Sequence, residues 1–332
     1  MKDTIRKLVE AWGPSGSEHQ VRDLIRAEVE PYVDDIRVDG MGNLLCRVGT
    51  GEKTAIIAAH MDEIGVMTTF VEPKSGYLRF TNLGGLLHST MVGGRVRFED
   101  GTIGVIGVHE QFGASRTSVP ELDDFFIDVS DGENGNSHIA PGSPAGFWRT
   151  MEERGSRIIA KSLDDRIGCA IAIEAIRRIN KKTPNTLVFA FTVQEEVGLR
   201  GARTAAFGLN ADVAIALDVT ATGDLVRNSK MTVRLGDGAA IKYHDTGHVV
   251  PHAVREWMVN RAEKDGIPYQ REILTLGSTD AAAIQVSGAG VPAGAISIPC
   301  RFLHTTSETV DMRDVEACVK LLVGLTSNAI SL

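Results

Sequence analysis

Two polar motifs in this sequence follow apolar runs and contain side chains that bind metals or move protons. His60 and Asp62 end the run AIIAAHMD, and Glu195 and Glu196 follow the run LVFAFTV after a single glutamine. In an extended chain, residues two apart point the same way, so the imidazole of His60 and the carboxylate of Asp62 are predicted to project together. One of this pair could then bind a metal while the other orients it. Neighbouring carboxylates such as Glu195 and Glu196 repel each other unless cations or hydrogen bonds compensate.

Three more candidate ligands occupy comparable positions. Asp164 stands before an apolar helical pattern, Asp218 follows the run VAIAL, and His304 comes soon after the run GAISIP. Taken singly, such residues are more often helix caps or hydrogen-bonded structural groups than ligands. Taken together, they place a hard metal ligand at or soon after the end of each of four apolar runs, and open α/β sheets bind ligands at the carboxyl ends of their strands. Imidazole and carboxylate without thiolate suit Zn, Co or Mn, so we predict a divalent metal site.

The segments that must position these residues alternate between apolar runs and helical patterns. Buried strands are predicted at residues 54–59, 186–193, 213–217 and 294–298, and helices at residues 167–180, 254–265 and 315–327. Continuous apolar runs alternating with helices are typical of an α/β fold.

Between about residues 66 and 158 the pattern changes. Short β-prone pieces are separated by Gly, Asp and Asn, with no long helical pattern between them, at residues 77–81, 95–98, 102–108 and 125–129. We predict a small β-rich domain of residues 66–158 inserted into an α/β domain of residues 1–65 and 159–332. Within it, residues 132–146 are predicted to form a polar loop, and residues 109–118 match no familiar element.

The composition limits the function classes. The chain has 332 residues, 43% of them hydrophobic, which is enough for a sizeable core. A net charge of −8, without a cluster of Lys and Arg, argues against nucleic acid as a partner. No run approaches the roughly 18 apolar residues of a membrane span. The charged N-terminus predicts two amphipathic helices with a turn at residues 13–16 and lacks the pattern of a secretory signal, so we expect a cytoplasmic protein.

The four cysteines are scattered and form no CxxC pair, which predicts reduced and mostly buried residues without a disulfide framework: Cys46, Cys169, Cys300 and Cys318.

Six stretches along the chain resemble one family, in the same order. They are HMDEIG, KSLDDRIG, QEEVGLRGA, ALDVT, GSTDAAAI and RFLHT, and they resemble the glutamyl/deblocking aminopeptidases, co-catalytic metallopeptidases that include the tetrahedral aminopeptidases. The likeness covers nearly the whole chain. It implies a mixed sheet flanked by helices, as in zinc peptidases, with an inserted barrel-like dimerisation domain.

The resemblance also implies a role for each candidate residue. His60 and Asp218 would bind one metal, Glu196 and His304 the other, and Asp164 would bridge the two. Glu195 would be the general base, and Asp62 would orient His60. Separately from the resemblance, Asp165 and Arg166 are predicted to be structural, holding the loop of Asp164 through the helix start and a local ion pair, and a secondary role for Arg166 stays open. The stretch GSTD has a serine where the family usually has glycine, so the shape of this loop is not predicted.

From these roles we expect a metal-dependent aminopeptidase with two divalent ions per subunit, Zn or Co first and Mn as a further candidate. Ions about 3.5 to 4 Å apart would share and activate a water molecule. Their four positive charges would be balanced by the three ligand carboxylates and a bridging hydroxide. Short peptides are the expected substrates, and the resemblance implies a homo-oligomer, either dimers or a tetrahedral dodecamer.

Two other classes of function compete with this hypothesis. Paired carboxylates also serve glycoside hydrolases of the endoglucanase type, but that mechanism has no use for His60 and His304, and only 5% of the residues are aromatic. A non-catalytic peptide-binding protein of the same fold is the other alternative, and a dipeptidase or carboxypeptidase is a nearer one. The preferred N-terminal residue stays open. Lys242, Arg255 and Arg301 would favour acidic residues if they lined the pocket, although solvated surface cations are the simpler interpretation.

Overall fold

The apolar runs form the centre of a large mixed sheet. The computed structural model describes residues 1–109, 118–131, 138–225 and 230–332. Within them the strands are β1 (Asp35–Val38), β2 (Leu44–Val48), β3 (Thr54–His60), β4 (Gly65–Val71), β5 (Leu78–Leu83), β6 (Arg95–Phe98), β7 (Ile103–Val108), β8 (Phe125–Asp128), β9 (Pro144–Phe147), β10 (Glu152–Arg154), β11 (Arg157–Ala160), β12 (Thr186–Thr192), β13 (Val213–Ala221), β14 (Ala239–His244), β15 (Tyr269–Ile273), β16 (Ala293–Arg301) and β17 (Glu308–Asp311). The helices are α1 (Lys2–Glu10), α2 (His19–Val29), α3 (Leu163–Ile179), α4 (Arg200–Ala206), α5 (His252–Lys264), α6 (Asp280–Gln285) and α7 (Met312–Thr326).

Eleven of these strands belong to one sheet. Its main path runs β1-β2-β12-β3-β13-β16-β17-β11-β10, and off this path β14 pairs with β16 and β15 pairs with β14. The four central strands β12, β3, β13 and β16 are mutually parallel, so their carboxyl ends lie at one edge. These strands contain the four predicted apolar runs, and burial on both faces explains why those runs are continuous.

Helices cover both faces of the sheet. On one face, Ile57 and Ile215 pack into a core with apolar residues of α1, α2, α3, α5 and α7. On the other, the neighbouring Ile56 and Ala214 pack against α4 and α6. Adjacent strand residues point to opposite faces, which assigns each one to its core. The predicted mixed sheet flanked by helices is confirmed.

The β-rich segment forms a closed antiparallel barrel in the order β4-β5-β8-β7-β6-β9. Its interior holds Phe80, Phe98, Phe125 and Ile127, among other buried apolar side chains. The barrel-like prediction is therefore confirmed. In contrast, β10 and β11 lie within or at the end of the predicted 66–158 segment but pair in the large sheet.

The predicted loop at residues 132–146 is wrong at its end, because Pro144, Ala145 and Gly146 belong to β9. Pro144 is the first residue of this strand, where a missing N–H is tolerated, and that concealed the strand in the sequence. Residues 132–137 of the predicted loop, and residues 110–117 of the unmatched segment, lie outside the described residues.

The predictions for the N-terminal segment and for the cysteines are both confirmed. The N-terminus forms the helix pair α1 and α2, and all four cysteines are buried and free. Cys169 packs in the core under the sheet, and burial raises the pKa of its thiol. Among the described residues, every helix is too short or too polar to cross a bilayer.

Candidate metal centre

The carboxyl edge of the parallel strands gathers the candidate residues. His60 is the last residue of β3 and lies opposite Thr192 at the end of β12, so Glu195 and Glu196 follow next to it. Asp218 lies towards the end of β13, and His304 follows β16. Asp164 comes from the first turn of α3, where its backbone is not yet helical. All seven residues singled out in the sequence lie in this one region.

Asp164 stands between two imidazoles. Its Oδ1 lies 3.1 Å from Nε2 of His60, and its Oδ2 lies 3.3 Å from Nε2 of His304. The same Nε2 of His304 lies 3.5 Å from Oε2 of Glu196. Each oxygen of one carboxylate thus faces a different histidine, which is the arrangement of a bridging ligand.

Within the described part of the chain, two sets of side chains have ligand atoms close enough to hold a metal ion. One contains His60, Asp164 and Glu196, and the other His60, Asp165 and Asp218, with all atoms of a set within 4.8 Å of one another. In the second set, the Asp165 carboxylate already accepts N–H groups of His60 (3.3 Å) and Gly168 (3.0 Å). This use of both oxygens fits the structural role predicted for Asp165.

Asp62 is completely buried behind the cluster, where it accepts three hydrogen bonds and contacts the ring of His60. Its carboxylate lies 3.3 Å from Nδ1 of His60 and accepts the backbone N–H groups of Glu195 (3.0 Å) and Glu196 (3.1 Å). The hydroxyl of Ser15 donates to its Oδ2 at 2.7 Å. Burial alone would raise the pKa of Asp62, but the contact with His60 and these donors lower it, so Asp62 stays ionised.

His304 is held from two sides. Its Nδ1 lies 2.7 Å from the carbonyl oxygen of Gly85, which accepts from it, and its backbone N–H donates to Glu308 at 2.9 Å. The other Glu308 oxygen accepts the N–H of Asp164 at 3.0 Å. An acceptor at Nδ1 leaves Nε2 directed at Asp164 and Glu196, as in metal-binding histidines.

The barrel contributes to this site through the segment after β5. A Cβ on Gly84 would lie 3.2 Å from Cβ of Glu196, and one on Gly85 would lie 3.1 Å from Nδ1 of His304. Gly84 also has a φ of +84°, in the left-handed region that favours glycine. These two glycines, Ser15 and Glu308 were missed in the sequence, since none of them follows an apolar run.

The electrostatics of the cluster fit divalent cations. Burial raises the pKa values of Glu195, Glu196 and Asp218 well above the usual carboxyl range, and neighbouring carboxylates add to this. Burial opposes a charge on His304, but Asp164 and Glu196 outweigh it and raise its pKa to about 10. Among the described residues, the buried Oε1 of Glu196 has no hydrogen-bond partner. Cations among these carboxylates would replace protons and satisfy that oxygen.

A cavity of about 830 Å³ opens beside the cluster. It is lined by Asp164, Glu195, Glu196, Asp218 and His304 together with residues that are mostly apolar.

None of the three cations considered in the sequence lines this cavity. The interpretation of Lys242 as a solvated surface cation is wrong, because it is fully buried and pairs with Glu272. Arg255 lies over the ring of Tyr243, and Arg301 pairs with Asp224.

The residues beside the two motifs have structural contacts. Arg166 is buried and donates to the carbonyl groups of Leu8 (2.8 Å) and Gly13 (3.1 Å), which ties α3 to the end of α1. Ser278, the serine that departs from the family pattern, donates to Asp245 at 3.0 Å at the cavity wall.

Imidazoles and carboxylates gathered where parallel strands end, next to a cavity, are the arrangement expected of a metal-dependent hydrolase of the α/β class. Residues 42–321 match the model of a family described as M42 glutamyl aminopeptidase. A putative aminopeptidase of Acetivibrio thermocellus is 41% identical to this chain over 97% of both sequences. The chain therefore belongs to the M42 glutamyl aminopeptidase family and is a peptide hydrolase of the aminopeptidase class.

Solved structures agree with this assignment. An aminopeptidase from the archaeon Desulfurococcus kamchatkensis has a TM-score of 0.92 and 38% identity, covering 99% of this chain and 94% of its own. A TET1 peptidase of Pyrococcus horikoshii, which can assemble into a tetrahedron or a large octahedral shell, has a TM-score of 0.87 and 32% identity over 99% of both chains. The resemblance inferred from the six motifs is confirmed.

Proposed function

We propose that this chain removes single residues from the N-termini of short peptides with two divalent metal ions. His60 and Asp218 would hold one ion, Glu196 and His304 the other, and Asp164 would be shared. The observation that carries this proposal is the placement of the two Asp164 oxygens, 3.1 Å from His60 and 3.3 Å from His304.

When bound, the two ions would lower the pKa of an attacking water and polarise the peptide carbonyl. Glu195 is the proposed base. Its Oε2 lies 3.8 Å from Nε2 of His60, at the wall of the cavity. Burial raises the pKa of Glu195 above the usual carboxyl value. Glu195 accepts the proton of the water at this oxygen and donates it to the nitrogen of the leaving peptide.

Asp62 has a positioning role in this proposal. It contacts Nδ1 of His60 and accepts the N–H groups of both glutamates, so one carboxylate sets the ring orientation and the start of the Glu195 loop. Such a carboxylate behind a histidine ligand also raises the basicity of the ring.

Metal removal tests the function. We expect chelation to lower hydrolysis of leucyl p-nitroanilide at least about a hundredfold, because two Lewis acids supply several kcal/mol of stabilisation to the transition state. Adding Zn, Co or Mn should restore it, and the most effective ion identifies the preferred metal.

Release of reducing sugar from cellulose that persists in chelator would instead support the glycoside hydrolase alternative. A metal-loaded chain inert towards a broad panel of aminoacyl substrates would support the non-catalytic one. The presence of all seven candidate residues in one cluster argues against both.

We also propose that the chain self-associates, with residues 66–158 as an inserted dimerisation domain. The tetrahedral and octahedral shells of the Pyrococcus horikoshii relative support this proposal. Light scattering of the intact chain should give a mass of two or twelve subunits, and a monomer at micromolar concentration would contradict it. A cytoplasmic location stays a prediction.

A further inference from the structure

Apart from the residues of the candidate metal centre, most side chains that line the adjacent cavity are apolar. Among them, Val219 is buried, and Leu199, Met231, Leu274 and Leu303 are half-buried. Leu276 lies at the rim with 80% of its surface exposed. An exposed apolar rim above an apolar pocket is unusual on a protein surface and marks a place where apolar ligands bind.

We propose that this cavity receives the side chain of the substrate's N-terminal residue and selects large apolar residues such as leucine, methionine and phenylalanine. This inference rests on the proposed function. An aminopeptidase has a single residue on the amine side of the bond it cleaves, and that residue must lie next to the groups that attack the carbonyl. The cavity is bounded by those groups, Asp164, Glu195 and His304 among them.

The main alternative is that the cavity selects a charged N-terminal side chain. Lys230 lines the cavity and could attract an acidic side chain. Its own side chain is exposed, and an ion pair at an exposed site changes binding by less than about fivefold. Burying a leucine-sized side chain favours binding by roughly tenfold to a hundredfold.

A charged side chain would also lose its hydration in this pocket. Acidic substrates would meet apolar walls and, across the cavity, the carboxylates of the cluster. Basic substrates would meet the same walls without a described carboxylate outside the cluster to pair with. Among the described residues that line the cavity, the exposed Lys230 and the carboxylates of the cluster are the charged groups either substrate would meet. Desolvation by the apolar lining is therefore unfavourable for both charges.

Aminoacyl p-nitroanilides test the selection, since their leaving group is constant and only the N-terminal side chain changes. For the metal-loaded enzyme we expect kcat/KM for leucine, methionine and phenylalanine to exceed that for glutamate and lysine by at least about tenfold. Binding to the Glu195→Gln variant, measured by calorimetry, should show the same order without turnover.

Variants locate the selectivity in the cavity. Met231→Glu should lower kcat/KM for the leucyl substrate at least about tenfold and shift the preference towards lysine, because it places an anion in the apolar wall. Met231→Leu should keep the wild-type order. Phe207→Glu is the matched control, since Phe207 is 75% exposed and lies outside the cavity. Lys230→Met should lower kcat/KM for the glutamyl substrate by less than about fivefold and leave the order of the five substrates as in the wild type.

Two results would overturn the inference while leaving the aminopeptidase intact: a wild-type preference for glutamyl or lysyl substrates, or equal rates for all five. Equal rates would mean that the cavity takes residues beyond the cleaved bond. Failure to cleave any of the substrates with metal bound would instead reject the proposed function itself.

Discussion

The Glu195→Gln variant is expected to lose about two to four orders of magnitude in kcat while keeping its metal content, because removal of a general base costs about this much. The substitution preserves the shape of the side chain and leaves the Glu195 N–H donating to Asp62. It removes only the ability of the side chain to accept and return a proton. Turnover of leucyl p-nitroanilide and elemental analysis of the same preparation measure both quantities.

Glu256 on α5 is half-buried and lies outside the cavity. It offers a matched control, and Glu256→Gln should change neither quantity. Near-normal turnover of metal-loaded Glu195→Gln would refute the assignment of the base. Loss of metal together with activity would show that Glu195 acts as a ligand instead.

The second large effect is expected on metal content. Glu196→Ala and His304→Ala should each lower the amount of bound metal, because these side chains lie 3.5 Å apart around the Oδ2 side of Asp164. Activity should fall at least about a hundredfold, since an ion that polarises the carbonyl supplies several kcal/mol. Elemental analysis after dialysis, combined with the anilide assay, distinguishes this outcome from the effect of Glu195→Gln.

His244→Ala is the control for His304→Ala, because His244 is exposed at the end of β14, outside the cavity. Should His304→Ala retain the wild-type metal content, His304 would not be a ligand. The proposed pair of ions would then need a different second site.

The central strands could be predicted because a strand that is buried on both faces has a continuous run of apolar residues in the sequence. Runs such as the one ending at His60 are apolar without interruption. Strands β14 and β15 were missed since each contains a buried charge, Lys242 and Glu272, that breaks the apolar pattern. A paired charge inside a sheet looks like a surface residue until its partner is known.

The candidate site could be predicted as a group for a related reason. Parallel strands place their carboxyl ends at the same edge of the sheet, so polar residues that follow these strands lie close together there. Residues that reach the site from elsewhere have no such marker. Ser15 comes from the turn between α1 and α2 and is identified only by its contact with Asp62. Glu308 begins β17 and is identified only by its contacts with Asp164 and His304.

The contact of Gly84 and Gly85 with Glu196 and His304 limits how this chain can be shortened or recombined. Trimming the barrel to obtain a minimal enzyme would remove the carbonyl that accepts from His304, and grafting a barrel from a relative would require the same two glycines at the junction. Substitutions in a segment remote from the candidate site in sequence can thus alter that site.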